Sequence, residues 1–166
     1  MPQTITIALK PHLAKYLKVE TKGKLQIDQR SPIGFFFSKL IEECPYPPKQ
    51  PEGYTLQINV AEMNYINSKD KGLYSGRNKF LTISPANTKA LEKVIDFMFK
   101  KDLFTRLDKL HEEGRIRKKG GEMMAEILAY LDRYDIIAEQ EVSYESLKKA
   151  YYRHRNDQVP LLSKHI

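Results

Sequence analysis

The chain has 166 residues, of which 41% are hydrophobic and 30% charged, and its net charge is +7. That size and balance fit one ordinary domain or two small ones and exclude a disordered polyelectrolyte. A single cysteine, Cys44, excludes an intramolecular disulfide, and no run approaches the roughly 20 apolar residues of a membrane-spanning helix.

The opening MPQTITIALK has no secretory signal pattern, so a reducing cytoplasm is the expected location and no membrane partner is expected. Without a cysteine cluster no structural zinc is expected, and no cofactor. In QTITIALK, Ile5, Ile7 and Leu9 alternate with Thr4, Thr6 and Ala8, which predicts a half-buried strand. Pro11 suits the first position of a short helix carrying Leu13, Tyr16 and Leu17. KLQID (24–28) predicts a brief second strand. SPIGFFFSKLIEEC (31–44) predicts a helix: Ser31 caps it, Pro32 starts it, and Ile33, Phe36, Phe37, Leu40, Ile41 and Cys44 recur at three- and four-residue spacing. Cys44 is then a buried structural thiol.

PYPPKQPEG (45–53), with four prolines, ends that helix and reads as a linker. YTLQINVA (54–61) and KFLTIS (79–84) predict two strands. The loop between them interleaves Tyr65 and Tyr74 with Lys69, Lys71, Arg77 and Lys79, a pattern that can hold single strands by stacking but also describes any polar loop. Ser84 and Pro85 begin a helix whose Leu91, Val94, Ile95 and Met98 share a face. Leu103, Phe104, Leu107 and Leu110 point almost oppositely, so either one helix is buried from two sides or it breaks near Asp102; the break is the expectation. Gly114 ends this stretch and RIRKKGG (115–121) follows. EMMAEILAYLDRYDI (122–136) predicts an amphipathic helix with Met123, Met124, Ile127, Leu128, Leu131 and Tyr134 inward. The expected fold class is α+β: a small sheet with packed helices, closed by a C-terminal helical pair. The expected divisions are a strand and helix unit at 1–44, the linker at 45–53, a sheet with helices at 54–113, and the pair at 114–166.

The second member of that pair is SYESLKKAYYRHRN (143–156). Steps of about 100° per residue put Tyr144, Leu147, Ala150, Tyr151 and His154 on one side. Lys148, Lys149, Tyr152, Arg153, Arg155 and Asn156 fall on the other. Ser143 is the expected cap, and Glu145 sits where a carboxylate meets the positive end of the helix dipole. One helix bracing another whose free face is cationic resembles a helix-turn-helix arrangement, although the link DIIAEQEV is long and lacks glycine. The resemblance implies that Lys149, Arg153 and Asn156 reach base edges in a major groove about 12 Å wide, and that Lys148, Tyr152 and Arg155 reach backbone. Arg115, Arg117, Lys118 and Lys119 form an arm for phosphates or a minor groove. The structural alternative is an amphipathic pair with a solvated basic side.

TITIALKPHLAKYL and RSPIGFFFSKLIEEC resemble the strand, first helix and second helix of ribbon-helix-helix proteins. That likeness implies a homodimer whose paired strands enter a major groove, with Thr4, Thr6 and Ala8 at the groove-facing positions; KGKLQID lengthens the loop. The combination resembles accessory proteins of bacterial phages and mobile elements. Enzyme chemistry has no support: His12, His111, His154 and His165 are scattered, and no HExxH, nucleophile elbow or phosphate loop occurs. The expectation is a non-enzymatic DNA-binding accessory or regulatory protein acting on duplex DNA. The competing expectation is an interaction or structural module docking on an acidic protein.

Overall fold

Alternation sets the first element. In β1 (Gln3–Ala8) Ile5 and Ile7 are buried, Thr4 is exposed, and Thr6 and Ala8 are intermediate. The computed structural model describes residues 3–23, 25–27, 32–53, 55–60, 80–116 and 121–158. The polar loop between the third and fourth expected strands lies outside them. The fold is α+β, and the chain divides into two compact units, Met1–Ile95 and Asp96–Ile166.

In the first unit β1 is followed by α1 (Pro11–Glu20), β2 (Leu25–Ile27), α2 (Pro32–Leu40), β3 (Ile41–Cys44), β4 (Thr55–Val60) and β5 (Phe80–Ile83). β4 is central in a three-stranded sheet, antiparallel to β1 and parallel to β2, while β3 and β5 form a separate antiparallel pair. Pro11 opens α1, whose Leu13, Tyr16 and Leu17 are each 1% exposed and pack the core with Ile5, Ile7 and Phe37.

Two expectations are corrected here. The helix predicted over 31–44 stops at Leu40, and Ile41–Cys44 is a strand in register with β5, from Ile41 opposite Ile83 to Cys44 opposite Phe80. Residues 37 and 41 fit a helical period, but a long-range ladder satisfies the backbone of 41–44 instead, and pairing overrides local pattern. Cys44 is therefore only half-buried; its single S–H lies within reach of two carbonyl acceptors, Tyr46 O (3.2 Å) and Phe80 O (3.3 Å). The proline-rich stretch is not a boundary either. β1 pairs with β4 across it and β3 pairs with β5 across it, so 45–53 is a surface connection inside one unit. The division falls between residues 95 and 96, not at 45–53 or at 113. β1 is paired with β4 of its own chain along all six residues, so a two-chain ribbon would have to form on its other edge.

α3 (Pro85–Glu112) does not break at Asp102; it is one 28-residue helix. Ser84 caps it, its hydroxyl accepting from Asn87 N–H at 3.4 Å and donating to Glu42 Oε1 at 2.8 Å. Leu91, Ile95, Phe99, Leu103 and Leu107 are each 0% exposed. They sit at strict four-residue spacing, and each such step over-rotates by about 40°, so the stripe winds by about 160° over its length. That winding is why the two halves look opposed in sequence. The second unit holds the rest of α3, α4 (Gly121–Arg133) and α5 (Tyr144–Gln158). α4 buries Met123, Ile127, Tyr130 and Leu131; the Tyr130 hydroxyl donates to the Phe99 carbonyl at 3.0 Å. Met124 and Leu128, expected inward, lie outside this core: Met124 is 46% exposed and Leu128 intermediate. Among the described residues no helix is long and apolar enough to cross a membrane.

Three helices end in the same pair of backbone hydrogen bonds. Gly23 N–H reaches Lys18 O and Lys22 N–H reaches Val19 O; Arg115 reaches Leu110 and Gly114 reaches His111; Ile136 reaches Leu131 and Asp135 reaches Asp132. The motif needs a left-handed residue, and Lys22 (φ 52°), Gly114 (φ 68°) and Asp135 (φ 55°) supply it. Only one of the three is glycine. A side chain at Gly114 would meet no atom within 4 Å, so its cost is purely conformational. Gly114→Ala should therefore lower stability by about 1 kcal/mol, and Lys22→Gly should raise it by several tenths. Urea unfolding measures both, and a neutral Gly114→Ala would refute the assignment.

Candidate nucleic-acid interface

α5 begins as its sequence asks, with one change of cap. Tyr144 N–H donates to Glu139 Oε1 at 2.8 Å, so a carboxylate from the preceding link closes the first turn. The link, residues 134–143, is ordered by its own groups. Asp135 and Glu139 take left-handed conformations, Glu139 N–H donates to the Val142 carbonyl at 2.9 Å, and Ile137 N–H donates to Glu141 Oε2 at 2.9 Å. Two acidic side chains thus do what glycine and a shorter turn do elsewhere.

The packed face is as predicted from spacing. Leu147 and Tyr151 are 1% and 0% exposed, and Tyr144, Ala150 and His154 are half-buried. Phe104 of α3 sits against both aromatic members, 5.6 Å from the Tyr151 ring and 5.0 Å from the His154 ring. One turn on, Asp108 accepts from the Tyr151 hydroxyl at 2.9 Å, and its other oxygen is 3.2 Å from His154 Nε2. A carboxylate at the edge of the apolar interface is thus met from two sides by α5. Burial first, and then the Asp108 bond, push the Tyr151 phenol above its ordinary value. Sequence reasoning missed this cluster. Its signal was available: an aspartate one residue from Leu107, and two aromatic residues with polar tips on an apolar face.

On the opposite side Lys149, Tyr152, Arg153, Arg155 and Asn156 are exposed, with Tyr152 at 46%. Lys149, Arg153 and Asn156 follow at i, i+4 and i+7, one line along the helix. Among the described residues neither Lys149 nor Arg153 has an ion-pair partner. Of the other cations, Lys148 and Arg115 have ion-pair partners, and Arg155 has none among the described residues. Lys148 is 3.4 Å from Glu145 and 5.6 Å from the Tyr144 ring centre, and the Glu145 hydrogen bond raises its ammonium above the ordinary value. Arg155 lines a cleft of about 410 Å³ with Asp108, His111 and Glu112. Arg115 is 3.6 Å from Glu113 and lines a separate cleft with Leu110, Ile116, Glu122, Ala125 and Glu126, in which none of the α5 candidates takes part. Arg117, Lys118 and Lys119 lie outside the described residues; Ile116, 5% exposed, is buried. Tyr65, Tyr74 and their flanking cations also lie outside.

Among the described residues no group of three His, Cys, Asp or Glu side chains is placed to hold a metal. No family model, curated protein or solved structure matches this chain.

Tyr151 carries a pH prediction. A phenol whose folded value lies above its ordinary 10.0 stabilises the fold fully below that pH and loses the contribution as pH rises through the folded value. The unfolding midpoint should therefore fall on the alkaline side of 10.0, and Tyr151→Phe should flatten that fall. At neutral pH the same substitution should cost about 1 kcal/mol for the lost bond to a part-exposed carboxylate. Parallel alkaline profiles for the two proteins would exclude Tyr151 ionisation as the cause.

Proposed function

We propose that this chain is a non-enzymatic DNA-binding accessory or regulatory protein that sets the exposed face of α5 against duplex DNA. One observation carries the reading: Lys149, Arg153 and Asn156 form a straight exposed line on a helix whose reverse side is buried and held by Asp108. Two cations without described partners offer phosphate or base contacts without first breaking an ion pair. An amide at the third position suits an adenine edge. The ordered link supports the reading because it leaves the helix little freedom to roll. Arg155 lies off the line in a cleft shared with Asp108 and Glu112, and Lys148 is a secondary contact here, since it already pairs with Glu145. Arg115 has the same limitation, and Arg117, Lys118 and Lys119 remain candidate phosphate contacts. The helix-turn-helix likeness belongs to this proposal, as does action in the cytoplasm, the compartment that suits a DNA-binding chain with one free thiol.

Selection from a random duplex pool at two salt concentrations tests it. One enriched motif that survives the higher salt is expected, and a palindromic motif would indicate two copies on one site. Lys149→Ala and Arg153→Ala should each weaken binding. A base contact would cost about 1–3 kcal/mol and relax preference at one position; a phosphate contact would reduce the salt slope by about 1. If neither changes affinity, the face is misassigned. If no duplex binds at all, docking on an acidic protein takes the place of the DNA reading.

A further inference from the structure

α4 carries a second apolar stripe that its core does not use. The buried side is Met123, Ile127, Tyr130 and Leu131. About 140° away on the helical wheel lie Gly121, Met124, Ala125, Leu128 and Ala129. Gly121, Met124, Ala125 and Ala129 are exposed and Leu128 is intermediate. A side chain added at Gly121 would meet no atom within 4 Å. A shallow notch of about 420 Å³ adjoins Leu128 and Ala129, lined by Leu131, Ile136 and Ala138 with Asp132 at its polar side, and neighbouring Ile137 is 49% exposed. Met124 and Ile137 are the large apolar side chains exposed beside this notch, and a partner that covered them would remove that surface from water.

We infer that the cover is a second copy of the chain, with the two α4 helices packed antiparallel about a two-fold axis. The stripe is complementary to itself in that arrangement. One antiparallel register sets Met124 against Ala129 of the second copy, Leu128 against Ala125, and Gly121 against Asp132. Each long side chain meets a methyl group, and the symmetry makes every contact twice. Large residues opposite small ones are what two helices need to interdigitate at close approach. Charge selects the same direction. Glu122 lies in the first turn of α4 and Arg133 in the last, so antiparallel packing brings opposite charges within a turn of each other, whereas parallel packing opposes like charges. Asp132 meets the other helix where glycine leaves the first-turn N–H groups accessible to a carboxylate. A foreign partner gives no reason for the two halves of the stripe to fit one another.

The inference does not rest on the DNA reading. Its consequence for that reading is that two copies of α5 act on one duplex and favour a two-fold symmetric site.

One helix pair buries less than the roughly 1,600 Å² of a standard stable interface, so association should depend on concentration. Sedimentation equilibrium of the full chain without nucleic acid, from about 1 to about 300 µM, should show the mass rising from one chain toward two. Leu128→Glu should hold it at one chain throughout, with an unchanged circular dichroism spectrum. In a Cys44→Ser background, Ala125→Cys should give a disulfide dimer on mild oxidation and Lys93→Cys should not. That readout decides the matter even if Leu128→Glu misfolds. A single-chain mass over the whole range, a dimer that well-folded Leu128→Glu leaves intact, or equal cross-linking from both cysteine positions overturns the proposal. None of these measurements contains DNA, so failure of the α5 assignment leaves them unaffected.

Discussion

The constraint on which the structure most depends is the four-residue spacing of the α3 stripe. An α-helix repeats every 3.6 residues, so apolar side chains spaced by four cannot stay on one face. Leu91, Ile95, Phe99, Leu103 and Leu107 wind around α3 instead, and all five are fully buried. The helix thus takes part in both units in sequence: its first turns are tied by hydrogen bonds among Ser84, Asn87 and Glu42, and its last turns set Phe104 and Asp108 against Tyr151 and His154 of α5. A stripe with the regular mixture of three and four would have stayed on one face.

Function, as proposed, rests on how α5 is oriented, and orientation comes from unlike forces at its two sides. Leu147 and Tyr151 hold it by burial, which is strong but indifferent to small rotations. The Asp108 bonds are directional and resist rotation about the helix axis. The acidic link adds a third restraint at the first turn. Lys149 and Arg153 then stand in water because the rest of the helix is held.

Most elements were legible where local pattern and tertiary contacts agree. β1 follows its alternation, α1 and α3 start at Pro11 and Pro85, and both faces of α5 follow from spacing. The failures are places where distant parts of the chain decide. Residues 41–44 carry a helical pattern but meet β5. Four prolines look like a boundary but bridge strands that pair across them. Leu128 and Met124 belong to the helical period of α4, yet no part of the described second unit buries them fully. Of the candidate interface, the composition of the face was readable and its anchoring was not, because Asp108 lies 43 residues from Tyr151. The ion pairs of Lys148 and Arg115 lie within their own stretches of sequence, whereas the cleft that Arg155 shares with Asp108, His111 and Glu112 was hidden because those residues lie on another helix.

The continuity of α3 also limits how this protein can have changed by descent. Modules recombine most readily where a flexible joint can be cut and rejoined without loss. Here the division between residues 95 and 96 falls inside a 28-residue helix about 42 Å long. A cut between the units would divide the helix and leave four orphaned backbone groups at each new end. The two units are thus bound to travel as one heritable block, and fusion, duplication or truncation is tolerable only at the outer ends of the chain or in its surface connections.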